Sequence, residues 1–326
     1  MKKILLYSTG GFGDALVFTH LATLLQQRLL DVHVDFCINH DFAFQFGNGN
    51  NKDAVEILKL QRNIADVCIL DKNTGILKFS DGKFVDIKES SPYDKVYVQQ
   101  EFYTDLGYVK SLFIEFIKEY GMVPNIGETQ FRVNSTPAGK KPLNEIAVPG
   151  EQDWKNKWKG QEAKVEALYA ELIKREYKLN VISPENGKTY LENLQLLQSF
   201  RLYIGPFGSI GHCAAGLGVN TITLSSIFSP YWDNPEYYHS GFHKGIICKP
   251  QFHCGNYACM TPKLYSQPKN NPKVPGPPLI EGNSPWAEKC NYTPDRQSCV
   301  SSVTVDEFIV ALDEWEERVD YKNSKI

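Results

Sequence analysis

The chain has 326 residues, 42% hydrophobic and 22% charged, with a formal net charge of −3 and a pI of about 6.2. That length fits two domains of about 150 residues each, both able to bury a core, and the composition excludes a disordered, collagenous or coiled-coil chain. The basic excess of a dedicated nucleic-acid binder is missing, and no apolar run approaches the ~18–20 residues that span a bilayer.

The short apolar run after Met1-Lys2-Lys3 meets glycines at once, so it reads as a first β-strand over Ile4–Tyr7 and not as a signal peptide. A cytoplasmic protein is expected, in which the sequons at Asn134 and Asn291 carry no glycan. From Asp14 to Leu30 the apolar residues Leu16, Val17, Leu21, Leu24, Leu25 and Leu29 keep helical spacing. Val32–Ile38 alternates like a strand, Val55–Leu60 is weakly helical, and Val67–Leu70 is a further strand. Ile76–Ile87 alternates on both sides of Asp81-Gly82, a hairpin signature in which glycine accepts the positive φ of the turn. Lys95–Val98 reads as a strand, and Tyr103–Tyr120 as a helix closed by Gly121.

A polar, proline-bearing stretch from Asn134 to Pro142 reads as the linker between an N-terminal domain, 1–140, and a C-terminal domain, 141–326. The pattern then restarts: strands at Ile146–Val148, Leu179–Ser183, Arg201–Gly205 and Thr221–Ser225, helices at Gln161–Tyr177, Leu191–Phe200 and Ser209–Leu217. Such repeated units imply α/β architecture with parallel sheets and right-handed crossovers, two Rossmann-like domains. Pro250–Pro294 holds Pro, Asn, Gly and Cys without apolar periodicity, and a loop of that length needs something to order it. The chain closes with an amphipathic helix over Val303–Glu317.

Three motifs carry chemistry. Thr9-Gly10-Gly11-Phe12-Gly13-Asp14 follows the first strand and opens the first helix. Glycines there let the backbone turn sharply and approach a ligand, and free N–H groups at a helix start favour an anion. It is neither a dinucleotide fingerprint, lacking the third glycine, nor a P-loop, lacking Gly-Lys-Ser/Thr. Asp14 stands either as a first-turn residue that satisfies the helix dipole or as a carboxylate placed to take a proton from an acceptor hydroxyl. Next, Val148-Pro149-Gly150 leads into Trp154-Lys155-Asn156-Lys157-Trp158, where a lysine either lies exposed or neutralises a diphosphate. Last, Ile204-Gly205-Pro206-Phe207-Gly208-Ser209-Ile210-Gly211-His212 continues into the small residues Cys213-Ala214-Ala215-Gly216-Leu217-Gly218. Backbone N–H groups around Gly208–Gly211 can bind phosphate oxygens, with His212 on the first turn.

Of the eight cysteines, Cys37, Cys68 and Cys213 sit in apolar patterns and read as inert core thiols. The other five lie between Cys248 and Cys299. Cys254, Cys259, Cys290 and Cys299 offer four thiolates to structural Zn²⁺ or iron, with His253 and Cys248 as substitutes; reduced unliganded thiols and disulfides stay open as alternatives.

In order and spacing the three motifs resemble glycosyltransferase family 9, the ADP-heptose:lipopolysaccharide heptosyltransferases. Gly11-Phe12-Gly13-Asp14-Ala15-Leu16 is similar to the family's opening pattern. Pro149-Gly150 with Lys155-Asn156-Lys157-Trp158 is similar to its Pro-Gly and Lys-Arg-Trp-Pro, and Gly205–Gly218 to its donor-side strand, turn and helix. Phe228–Pro235 also resembles the family's next segment. The resemblance implies a GT-B fold, two Rossmann-like domains facing a central cleft, with acceptor on the N-terminal side and nucleotide-sugar donor on the C-terminal side. It implies inverting transfer without a catalytic metal, agreeing with the lack of an Asp-x-Asp pair. Asp14 becomes the general base, Gly10, Gly11 and Gly13 its loop, Lys157 or Lys155 the diphosphate ligand, and Gly208, Ser209 and His212 the donor pocket. An ADP-sugar is the donor the resemblance favours; the acceptor stays unassigned between a glycan (a lipopolysaccharide core sugar), a protein hydroxyl and a modified base in phage DNA, the last disfavoured by the acidic pI. Peripheral contact with the inner membrane fits such acceptors. A Cys-rich insertion at about 248–299 also has counterparts in the family, among them a branch with a four-Cys iron site. Phe207 stands where the family has Asp, so the donor need not be ADP-heptose. A sugar-nucleotide epimerase and a degenerate, metal-clipped binding protein are the rival readings.

Overall fold

The computed structural model describes residues 1–8, 12–39, 51–71, 74–79, 81–86, 91–99, 118, 133, 135, 139–151, 154, 161–183, 186–206, 208–225, 241–247 and 302–319. The helix expected over Tyr103–Tyr120 and the Cys-rich segment lie outside them, apart from Lys118. In chain order come β1 (Lys2–Ser8), α1 (Phe12–Phe18), α2 (His20–Arg28), β2 (Val32–Asn39), α3 (Asn51–Lys59), β3 (Asp66–Asp71), β4 (Ile76–Phe79), β5 (Phe84–Asp86) and β6 (Lys95–Val98). They are followed by β7 (Glu145–Pro149), α4 (Glu162–Lys174), β8 (Lys178–Ile182), α5 (Tyr190–Ser199), β9 (Leu202–Pro206), α6 (Ser209–Gly216), β10 (Asn220–Ser225), β11 (His243–Ile247) and α7 (Val305–Arg318).

The strands form two sheets. The first has the order β5-β4-β3-β2-β1-β6, parallel across β3, β2, β1 and β6 and antiparallel at its β4–β5 end; the second, β11-β10-β9-β7-β8, is parallel throughout. The β4–β5 hairpin closes where expected: Gly82 has φ +90°, and Asp81 Oδ1 accepts from Lys83 N at 2.8 Å. One long helix over Asp14–Leu30 is not what forms. Thr19 breaks it into α1 and α2, its hydroxyl donating back to Leu16 O at 2.6 Å, a side-chain competition with the helix ladder that apolar spacing cannot reveal. β11 also escaped the sequence reading, because His243-Lys244-Gly245-Ile246-Ile247 is too short and too polar at its start to alternate visibly.

Strand alternation sorts the core. Ile4, Leu6, Val34 and Phe36 face one side of the first sheet, where they pack with α1–α3. This core continues without a break into the second half, through Tyr190, Leu194 and Leu197 of α5, Ile210 and Ala214 of α6, and Tyr203 of β9. On the far side of the second sheet, Val148, Ile204 and Leu224 pack with Leu168 of α4 and Phe308 and Trp315 of α7. On the far side of the first sheet lie Leu5, Cys37, Cys68, Leu77 and Tyr93. Cys37, Cys68 and Cys213 are buried free thiols, as expected. The neighbouring Cys37 thiol and burial push Cys68 far above the usual thiol range. Burial, then the Asp35 carboxylate that accepts its hydroxyl at 2.8 Å, raises Tyr93 likewise.

Candidate functional site

Both sheets change winding direction beside one strand, and there the crevice that binds ligands in open α/β sheets forms. In the first sheet β1 is flanked by β2 and β6; in the second β7 is flanked by β8 and β9. The three sequence motifs leave the C-terminal ends of these strands: Thr9–Asp14 follows β1, Gly150–Trp158 follows β7, and Phe207–His212 follows β9.

At the β7–β9 point the strands are held close by their composition. A Cβ on Gly205 would fall 2.8 Å from Pro149 Cδ and run into the Tyr203 hydroxyl, so only glycine fits. That hydroxyl donates to Pro206 O at 3.3 Å, tying the strand end to the turn before α6. Gly208 is the N-cap of α6, Ser209 its first residue, and Gly208 O accepts from His212 N at 2.9 Å. His212 is buried. Among small residues α6 lies flat on the core, with its N-terminal N–H groups at the sheet's C-terminal edge. Next to His212, burial pushes the Cys213 thiol up to about 12, partly offset by contact with the Tyr190 hydroxyl at 3.4 Å.

After β7 the chain is pinned by Trp154. Its Nε1 donates to the Tyr169 hydroxyl at 2.8 Å, that hydroxyl donates to Pro149 O at 3.3 Å, and its ring meets Phe308 edge-on at 6.2 Å. Lys155 and Lys157, directly beyond this anchor, lie outside the described residues.

The two switch points meet. Gly13, second residue of α1, is so close to α6 that a Cβ there would lie 2.9 Å from His212 Cδ2 and 3.1 Å from Ser209 Cα. Gly13 therefore permits a close approach of two helices. Phe12 supports the contact from the side, edge-on to Tyr190 at 5.0 Å. Asp14 is the third residue of α1, one position beyond this contact. So the fold brings Gly13, Gly208, Ser209 and His212 together and sets the helix position of Asp14 beside them. Gly10, Gly11, Cys254, Cys259, Cys290 and Cys299 lie outside the described residues, among which no group of three or more His, Cys, Asp or Glu is placed to hold a metal.

Sequence reasoning missed one polar pair. Ser8, last residue of β1, donates from Oγ to Gln99 Oε1, just after β6, at 2.5 Å, and both are fully buried. Its only signal in the sequence was that each of two apolar strands ends on a polar residue.

No family model and no curated protein matches the chain by sequence. Solved structures do match it. The iron-containing dodecameric glycosyltransferase TibC of enterotoxigenic E. coli H10407 superposes with a TM-score of 0.62 at 12% identity, covering 98% of this chain and 77% of TibC. TibC in complex with ADP-D-β-D-heptose gives 0.58 at 10% identity, over 97% of this chain and 77% of the other. A family 9 glycosyl transferase of Veillonella parvula DSM 2008 gives 0.54 at 13% identity, over 96% of both chains. The chain thus has the GT-B fold that the resemblance to family 9 led one to expect.

Proposed function

We propose that the chain is a glycosyltransferase that moves a sugar from a nucleotide-diphosphate donor to an acceptor hydroxyl, with residues 1–140 on the acceptor side and 141–326 on the donor side. The observation that carries this reading is the junction of the two switch points, where the start of α1 lies against Ser209 and His212 of α6. Resemblance supplies the roles. The acceptor oxygen attacks the anomeric carbon from the face opposite the leaving group while Asp14 takes its proton. The bond from that carbon to the diphosphate oxygen breaks with inversion. Charge on the departing diphosphate is met by Lys157 or Lys155 and by the N–H groups at the start of α6, without a catalytic metal. An ADP-sugar is the favoured donor, since the neighbour TibC was crystallised with ADP-D-β-D-heptose. The acceptor is a glycan or a protein, reached from the cytoplasmic side with peripheral contact to the membrane; among the described residues no helix is long and apolar enough to cross one.

A thermal-shift screen against ADP, UDP, GDP, CMP and their sugar conjugates tests the donor site, since a ligand that binds only the folded state raises the melting temperature. A shift with one nucleotide diphosphate is expected, with Asp14→Asn keeping the shift and losing turnover. A chain that shifts with none of them, or an Asp14→Asn variant that turns over like the wild type, contradicts the reading and favours a binding protein.

The proposal extends to the Cys-rich segment, where Cys254, Cys259, Cys290 and Cys299 hold structural zinc or iron, as the iron-containing neighbour encourages. Elemental analysis of purified protein is expected to give about one metal equivalent per chain, lost in Cys290→Ser. Metal-free protein with an unaltered melting temperature would reject it.

A further inference from the structure

The pair Ser8–Gln99 has no part in the mechanism above, yet it occupies the first sheet's switch point. Two buried polar side chains on adjacent strand ends cost free energy unless they bond each other, and an apolar pair would lock β1 to β6 without that cost. Both residues are fully buried, and their bond joins positions 91 residues apart. Alternation fixes which way they point. Ser8 has the parity of Ile4 and Leu6, and Gln99 that of Tyr97, all on the face whose core continues into α5 and α6. From Ser8 to the start of α1 at Phe12 the chain has three intervening residues, so the place of Ser8 sets where α1 begins and where Asp14 is carried.

We infer that Ser8 and Gln99 are positioning residues for sugar transfer: their hydrogen bond clamps the end of β1 to β6 and thereby fixes where α1, the helix that carries Asp14, begins. The inference rests on the glycosyltransferase reading. It predicts an effect on turnover and none on the donor, which belongs to the second half. A misplacement of about 1 Å at a reacting group costs on the order of a hundredfold in rate.

The test uses the full chain, ADP-heptose as donor probe and water as the acceptor that takes up the heptose, with ADP release as turnover, ADP affinity by calorimetry and melting temperature measured in parallel. The variants are Ser8→Ala, Gln99→Met, the double variant and Asp14→Asn. Removing one partner costs the other a buried hydrogen bond and lowers the melting temperature, whereas removing both restores part of it. A purely structural clamp then regains turnover in the double variant along with stability. A positioning pair does not: turnover stays about ten- to a hundredfold down in all three, with ADP affinity within about twofold of wild type. Recovery of turnover in the double variant, with Asp14→Asn inactive, overturns the positioning role alone. Turnover in Asp14→Asn equal to wild type, or a wild type that neither binds ADP nor releases it, overturns the ADP-sugar transferase reading and the positioning role with it.

Discussion

Gly13 sets how closely the two halves approach. Two opposed effects act on Gly13→Ala. Alanine favours the helix by about 1 kcal/mol, but its Cβ would press on Ser209 Cα, a backbone atom that cannot swing aside, and on the buried His212 ring. Overpacking costs about 1–3 kcal/mol, and a clash with a backbone atom belongs to the upper part of that range, about 2–3 kcal/mol, so a net loss of about 1–2 kcal/mol is expected. Gly139, with nothing within 4 Å of its Cβ position, serves as the control and is expected to change by less than about 0.5 kcal/mol as Gly139→Ala. Urea denaturation of the two variants checks this; a Gly13→Ala midpoint equal to or above that of the wild type would mean the helices are not in contact there. The sequence displayed this glycine but not its reason. A Gly-x-Gly-Asp stretch before a helix does not show which helix packs against it, and the partner, Ser209, lies 196 positions away by the difference of the two residue numbers.

At the level of elements, the existence of α5 and α7 was legible from apolar spacing, while their caps emerge only in the structure. Thr189 and Thr304 each stand three residues before a glutamate, and both build a full capping box at the starts of α5 and α7. In α5 the box has a pH signature. The Thr189 N–H, which donates to Glu192 Oε2 at 2.7 Å, and next the Thr189 hydroxyl hold the Glu192 carboxyl below its ordinary range. A carboxylate depressed in the folded state contributes stability that is complete above its unfolded pKa and is lost as pH falls through the lower folded pKa. Glu192→Gln is therefore expected to melt below the wild type near pH 7, with the gap closing as pH falls from about 5 to about 3. Melting curves across that range check it; a gap that widens toward acid would contradict the capping role. Elements that depend on distant partners were less legible. The α1–α2 break turns on one hydroxyl within an unbroken apolar pattern, and β11 exists because β10 offers it a parallel edge, from Thr221↔His243 to Ser225↔Ile247.

Across the whole molecule, reading alternation and turn residues along the chain suffices to count two α/β halves, but not to say how they are joined. Each helix shows an apolar face without showing which sheet receives it. α5 and α6 follow strands of the second sheet, yet their apolar residues belong to the core that also holds Ile4, Leu6 and Phe36 of the first. Polar contacts follow the same route: Tyr190 N donates to Asp53 Oδ2 at 3.3 Å, and Val133 N to Gly216 O at 2.8 Å. Each fully buried Leu or Phe in this shared layer contributes about 1.5–3 kcal/mol relative to exposure, so separating the halves would forfeit several such terms at once. The halves should therefore not unfold independently, unlike many two-domain proteins. A single calorimetric transition is expected, with the van't Hoff enthalpy close to the calorimetric one, and residues 1–140 expressed alone should aggregate through the face that α5 and α6 cover. Two resolved transitions, or a soluble and cooperatively folded 1–140 fragment, would show the shared core to be too weak to couple the halves. Such coupling also bears on the site. Gly13 is seated against Ser209 and His212, so on the proposed function a donor bound beside α6 would also steady the start of α1, the helix that carries Asp14. An ADP-saturated protein should then show slower amide exchange in α1 as well as in α6, whereas protection confined to α6 would mean that the contact transmits nothing.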